Sequence, residues 1–171
     1  MLRNAGFTLI ELLVVFTVLG IVLAFGVPSY SAFIQNSQIR NSAESIVDGL
    51  NIARMEAVNR NEPVTFTITG NDWSIDVPSS GEQVQARSGT EGSKNAIVSN
   101  LAQASGPMSF QFNSMGRITS GNTATVITVS SGVGECMPTG AMRCLRVQLS
   151  AGGRVRMCDP NLPSTDPQAC S

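Results

Sequence analysis

The feature that most constrains this chain is an apolar run from Phe7 to Val27 that holds a single acid, Glu11. At ~1.5 Å per residue, a helix of about twenty residues crosses a hydrocarbon core of ~30 Å once. A carboxylate in such a segment is costly, on the order of 2.5 kcal/mol or more at mid-membrane, so an acid retained there is expected to serve a function. A secretory signal peptide is the competing reading, with Arg3 as its positive region and Ala24, Phe25 and Gly26 as the cleavage pattern. A signal core gains nothing from Glu11, and Gly6 offers a processing point ahead of the run that would leave the helix on the mature protein.

The rest of the 171 residues suits one ectodomain, since a single domain usually holds ~100 to 150 residues. After Pro28, where the helix is expected to kink, the pattern stays helical to about Asn61. Ile39, Ala43, Ile46, Leu50, Ala53 and Ala57 recur at spacings of four and three, the mark of one buried stripe. Glu62-Pro63 ends it, because the residue before proline disfavours the helical conformation. Strands are then expected at Val64 to Thr69 and Trp73 to Val77 around the hairpin signal Gly70-Asn71. Others follow at Met108 to Phe112, Arg117 to Thr119, Thr125 to Val129, Leu145 to Leu149 and Arg154 to Met157. Residues 79 to 106 read mostly as loop, with a weak apolar patch at Ala96 to Leu101, and Trp73 reads as core. The expected fold class is α+β, with about six or seven short antiparallel strands laid against a long N-terminal helix.

Four cysteines, Cys136, Cys144, Cys158 and Cys170, fall in the last quarter of the chain, as suits an ectodomain outside the cytoplasm. They form no C-x-x-C pair, so no zinc site is expected. Of three connectivities the sequence-local one, Cys136 with Cys144 and Cys158 with Cys170, is expected because it ties down two loops lacking an apolar pattern; sequence leaves the other two open. The chain has no histidine, the commonest general base and metal ligand. It also has no nucleophile-elbow serine and no phosphate-cradling loop with lysine. Arg40 with Glu44 and Glu56 with Arg60 fit ordinary surface pairing one helical turn apart. Neither an enzyme nor a cofactor is expected.

Charge is segregated along the chain. Residues 44 to 91 carry eight acids against three bases, while residues 117 to 156 carry five arginines against Glu135 alone. In the closing hairpin, with a loop at Ala151-Gly152-Gly153, the register that buries Leu145, Val147, Leu149, Val155 and Met157 puts Arg146, Arg154 and Arg156 on one outward face. Guanidinium groups so aligned engage phosphates bidentately, and with Arg143, Arg117 and Lys94 they form the expected contact set for double-stranded DNA. The same alternation also suits a solvated edge or a protein-docking face. Lys94 is the sole lysine and no aromatic run is present to stack single-stranded bases, so the expected affinity is modest and salt-sensitive.

Gly6-Phe7-Thr8-Leu9-Ile10-Glu11-Leu12 resembles the class III leader junction of type IV pilins and type II secretion pseudopilins. The hairpin's Gly153-Arg154-Val155-Arg156 resembles the GRxR motif of the GspH/FimT-like (FimT/FimU) family of type IV minor pilins, some members of which bind DNA in natural transformation. The resemblance implies a type IV pilin-like fold with a leader at 1–6, a transmembrane and filament-core helix at 7–28 and an ectodomain at 29–171. It further implies cleavage between Gly6 and Phe7 by a prepilin peptidase, methylation of the Phe7 amine, and neutralisation of that amine by Glu11 of a neighbouring subunit. A buried charge with a partner is tolerable where an orphan is not. The implied partners are other minor and major pilins and the inner-membrane assembly platform. The implied location is the bacterial inner membrane, then a pilus, at or near whose tip the subunit starts or caps assembly. A type II secretion pseudopilin is the alternative.

Overall fold

The computed structural model of the chain describes residues 8–100, 106–121 and 126–170, without the side chains at 25–29, 120 and 121. The leader and the Gly6–Phe7 junction lie outside the described residues, as do Leu101, Thr125 and the side chain of Pro28. Helix α1 (Leu9–Arg60) precedes β1 (Val64–Thr69), β2 (Asp72–Val77), β3 (Glu82–Arg87), β4 (Ala96–Asn100), β5 (Met108–Phe112), β6 (Ile118–Gly121), β7 (Val126–Ser131), β8 (Leu145–Leu149) and β9 (Val155–Cys158). Residues Met1–Ile34 and Gln35–Ser171 form two compact units.

In the first unit, α1 starts where Thr8 caps it. The Thr8 hydroxyl accepts the Glu11 N–H at 3.3 Å, in the S/T-x-x-E spacing that opens helices. The large apolar side chains from Leu9 to Leu23 all stand exposed. A helix surface that is apolar all round requires lipid or other helices around it. Among the described residues no helix is long and apolar enough to cross a membrane; the apolar run of the sequence extends beyond them to Phe7 and through the undescribed side chains after Ala24.

In the second unit, Ile39, Ala43, Ile46, Leu50, Ala53 and Ala57 are all buried, so the expected stripe is the helix face of the core. Gly49 sits on that face because a Cβ there would stand 2.6 Å from the Phe66 ring. Beside it the Trp73 indole donates to the buried Ser45 hydroxyl at 2.8 Å. The helix ends at Arg60, and Asn61 takes the left-handed conformation (φ 54°) common one residue past a helix.

The strands form two antiparallel sheets, ordered β3-β2-β1-β5-β6 and β4-β7-β8-β9. Gly70, at φ 63°, takes the first central position of the two-residue turn between β1 and β2, as a type II′ turn requires. Val64, Phe66, Ile68, Ile75, Val77, Phe110, Phe112, Ile127, Val129, Val147 and Leu149 line the inner faces and are buried. The α+β class stands, but nine strands among the described residues replace the six or seven expected. The segment 79 to 106, expected as loop, holds β3 and β4. Only half-buried or exposed side chains occur along β3, so its pairing with β2, not apolar burial, makes it a strand. The strands expected near Arg117 and Thr125 fall slightly later, at Ile118–Gly121 and Val126–Ser131.

Candidate nucleic-acid interface

Register fixes the arginine hairpin. Leu149 pairs with Val155, Gln148 with Arg156, and Arg146 with Cys158. Residues in direct register share a face, so Arg146, Gln148 and Arg156 lie on one side, with Val147 and Leu149 buried on the other. Leu145, Val155 and Met157 are half-buried, fewer buried apolar positions than the five expected. The turn is closed by the Ser150 N–H donating to the Arg154 carbonyl at 3.0 Å and by Gly153 N–H donating to Ser150 at 2.8 Å, with Gly153 at φ 79°.

This turn abuts the turn between β5 and β6. The Ile118 N–H donates to the Ala151 carbonyl at 3.3 Å, linking the two sheets. Gly153 packs so tightly on the Gly116 carbonyl that any Cβ would overlap it. Arg117 and Arg154, both exposed, therefore flank one junction. Arg54 of α1 joins them: its Nε lies 2.9 Å from where a Cβ on Gly116 would stand and 3.2 Å from that of Gly153. Arg54, a lone base within its turn of the helix, carries no direct sign in the sequence; only the two glycines that clear space for it carry a signal.

Other members of the expected set lie elsewhere. Lys94 precedes β4 and Arg143 precedes β8, and these strands, both antiparallel to β7, begin at one end of the second sheet. Arg154 precedes β9, which runs opposite to β8, so it lies at the other end. Arg143 is also engaged: its backbone N–H donates to Asn36 Oδ1 at 2.7 Å, and its guanidinium pairs with Asp159 at 3.0 Å. Asp159 is buried, with its side chain 5% exposed against 58% for Arg143.

Arg146 and Arg156 are half-buried rather than openly outward. Arg156 donates to the Pro167 carbonyl at 3.1 Å and the Ala169 carbonyl at 2.5 Å. The Arg146 Nε is buried, without a hydrogen-bond partner among the described residues. Cys158 bonds to Cys170 with Cα atoms 5.0 Å apart, closing a ring over residues 159–169, and Cys136 bonds to Cys144 at 5.4 Å. Both Cα spacings fall within the usual range for disulfides.

Away from this junction, at the β3 edge of the first sheet, Arg60 pairs with Glu56 and with Glu82, each at 2.8 Å. The hydrogen bond from Arg60, helped by its charge, holds the Glu82 carboxyl below the usual carboxylate range. Glu82 on β3 and Arg117 beside β6 thus lie at opposite edges of the first sheet.

The sequence pattern of the family described as Type II transport protein GspH matches residues 42–153, most of the second unit. The chain belongs to the GspH family. Residues 1–27 of this GspH-family chain match the prokaryotic N-terminal methylation motif. Its fold is that of a pilin: the crystal structure of the type IV minor pilin FimU of Pseudomonas aeruginosa superposes with a TM-score of 0.54 at 19% identity, covering 81% of this chain and 99% of that one. Type IV major fimbrial protein FimA of Dichelobacter nodosus is 45% identical over 47 residues, 28% of this chain and 29% of the relative. A fimbrial protein of the same organism is 40% identical over 57 residues, 33% of this chain and 35% of that protein. The chain thus spans about a third or less of the length of these relatives. Family and fold are those of structural pilins rather than enzymes.

Proposed function

We propose that this GspH-family protein is a minor subunit of a type IV pilus that holds double-stranded DNA by its phosphates at the junction of Arg154, Arg117 and Arg54. The observation that carries the DNA reading is the contact of Gly153 with Gly116, which brings two exposed arginines from different sheets to one edge. Arginines met in this way read backbone rather than bases, so binding is without sequence preference. Arg146, Arg156, Arg143 and Lys94 stand outside the junction, and three phosphate contacts give a salt slope near −2.7, at ~0.9 per contact.

Incorporation follows from the other end of the chain. Prepilin peptidase cuts between Gly6 and Phe7, the new Phe7 amine is methylated, and Glu11 of an adjacent subunit neutralises it as the exposed apolar surface of Leu9 to Leu23 leaves lipid for a filament core. Before assembly the protein is a single-pass inner-membrane protein with its ectodomain in the periplasm. Afterwards it sits in the pilus among minor and major pilins, at or near the tip, delivered by the inner-membrane platform. The family description, type II transport, favours a second reading as a secretion pseudopilin.

The test titrates detergent-solubilised full chain with labelled duplex DNA across a salt series, beside Arg117→Gln/Arg154→Gln. Binding that falls with salt, with a slope flattened by about two units in the variant, supports DNA capture. No binding by the unaltered chain at low salt removes the DNA reading and leaves a filament subunit.

A further inference from the structure

We propose that Tyr30 and Phe33 are a lipid-interface anchor that sets the depth of α1 in the inner membrane, so that Glu11 stands at the cytoplasmic edge of the hydrocarbon and not within it. The proposal rests on the single-pass reading above and concerns the state before assembly.

Aromatic side chains divide between the two units. Among the described residues, Phe66, Trp73, Phe110 and Phe112 are buried in the second unit, whereas Phe16, Tyr30 and Phe33 stand exposed on the first. Tyr30 and Phe33, three residues apart on α1, share one face. Tyr30 is the sole tyrosine of the chain. A phenol joins an apolar ring to a polar tip, which suits it to the level of lipid headgroups. Phe33 adds apolar area one turn further on.

What covers this face follows from the helix that leads to it. No charged residue stands between Glu11 and Arg40. Between Glu11 and Ser29 the one side chain able to form hydrogen bonds is Thr17. Its hydroxyl donates to the Val14 carbonyl at 2.8 Å, so it needs no partner outside the helix. The two aromatics therefore continue a surface suited to lipid, at the level where Ser29 and Ser31 enter the sequence.

Helix length then fixes the other end. Tyr30 follows Glu11 by nineteen residues of continuous helix, about 28 Å at the usual rise, which matches a hydrocarbon core of ~30 Å. With the phenol at the periplasmic boundary, Glu11 reaches the cytoplasmic one, and the midplane falls at Gly20 and Ile21. The apolar run by itself centres elsewhere. Phe7 to Val27 has its middle at Thr17, and that depth would carry Glu11 to about 9 Å from the midplane, inside the hydrocarbon. The two placements differ by about 5 Å. In the anchored one the acid keeps its water until assembly, and gives it up when a neighbour's Phe7 amine is there to replace it.

The experiment reads depth along the helix. Both bridges together use all four cysteines, so an added cysteine is the sole thiol. The full chain carrying Val14→Cys, Thr17→Cys, Ile21→Cys or Leu23→Cys takes a nitroxide label and is reconstituted in vesicles of phosphatidylethanolamine and phosphatidylglycerol. Oxygen concentrates in hydrocarbon and a nickel chelate stays in water, so their relative access to the label reports its depth. Ile21 is expected to be the deepest site, with Leu23 deeper than Val14. In Tyr30→Ser/Phe33→Ser the deepest site should move toward Thr17, by up to about three residues. Tyr30→Trp, which keeps an amphipathic ring, should leave the profile in place. Thr17 as the deepest site in the unaltered chain overturns the anchor and leaves the single-pass reading intact, as does a profile that Tyr30→Ser/Phe33→Ser does not move. Labels that are all open to the nickel chelate overturn both.

Discussion

The backbone of Gly153 rests on the carbonyl of Gly116, two left-handed turn residues from different sheets with no room for a methyl group between them. Gly153→Ala both occupies that space and forces a side chain into φ 79°. Left-handed strain and overpacking cost roughly 1 to 3 kcal/mol each, so a destabilisation of about 2 to 6 kcal/mol is expected, read as a lower urea midpoint at unchanged m value. The same variant should weaken DNA binding without removing a charge, because Arg117 and Arg154 lose their shared footing.

Charge position rather than charge count should govern binding. Arg154→Gln is expected to flatten the salt slope by ~0.9, and Lys94→Gln, at the opposite end of the second sheet, to leave it unaltered. Equal effects from the two substitutions would show that the whole sheet face, not the junction, holds the phosphates.

Asn71 pins the loop after β3 to the helix. Its amide nitrogen donates to the Ser93 carbonyl at 2.5 Å and the Gly89 carbonyl at 3.4 Å, while its oxygen accepts the Ser42 hydroxyl at 2.9 Å. Asn71→Ala strands these part-buried groups, at a cost of about 1 to 3 kcal/mol. Hydrogen exchange should rise first in residues 88–95, ahead of the rest of the second unit.

Acid should loosen the β3 edge. Because Arg60 lowers the Glu82 pKa in the folded chain, the pair contributes stability above the ordinary carboxylate value of 4.5, and that contribution fades as pH falls through the lowered one. The melting temperature of the unaltered chain should therefore exceed that of Glu82→Gln near pH 6, and the two should converge as pH falls below 4.5 through the lowered value. Added salt at pH 6 should narrow the gap, since the pair is exposed.

The helix was legible because its stripe is written in residues spaced one turn apart, Ile39 through Ala57, every one of them buried. Hairpins announced by a turn signal, such as Gly70-Asn71, were equally plain. Strand β3 was not, because Glu82 to Arg87 buries no side chain fully and owes its form to backbone pairing along an edge. The arginine face was half legible. Alternation gave the shared side of Arg146 and Arg156, but alternation carries no information on what a distant segment lays over that side. Arg54 was invisible for the converse reason: its importance lies in two turns, more than sixty and close to a hundred residues further along, that converge on it.

The bridge from Cys158 to Cys170 brackets residues 159–169 on both sides. A protease that cuts within this exposed, proline-rich stretch severs the backbone without releasing a fragment, because the two new ends stay joined through sulfur. Such a nick passes unseen on a non-reducing gel and appears only when a reductant is added. This bridged segment is thus one whose loss of continuity the rest of the molecule need not register.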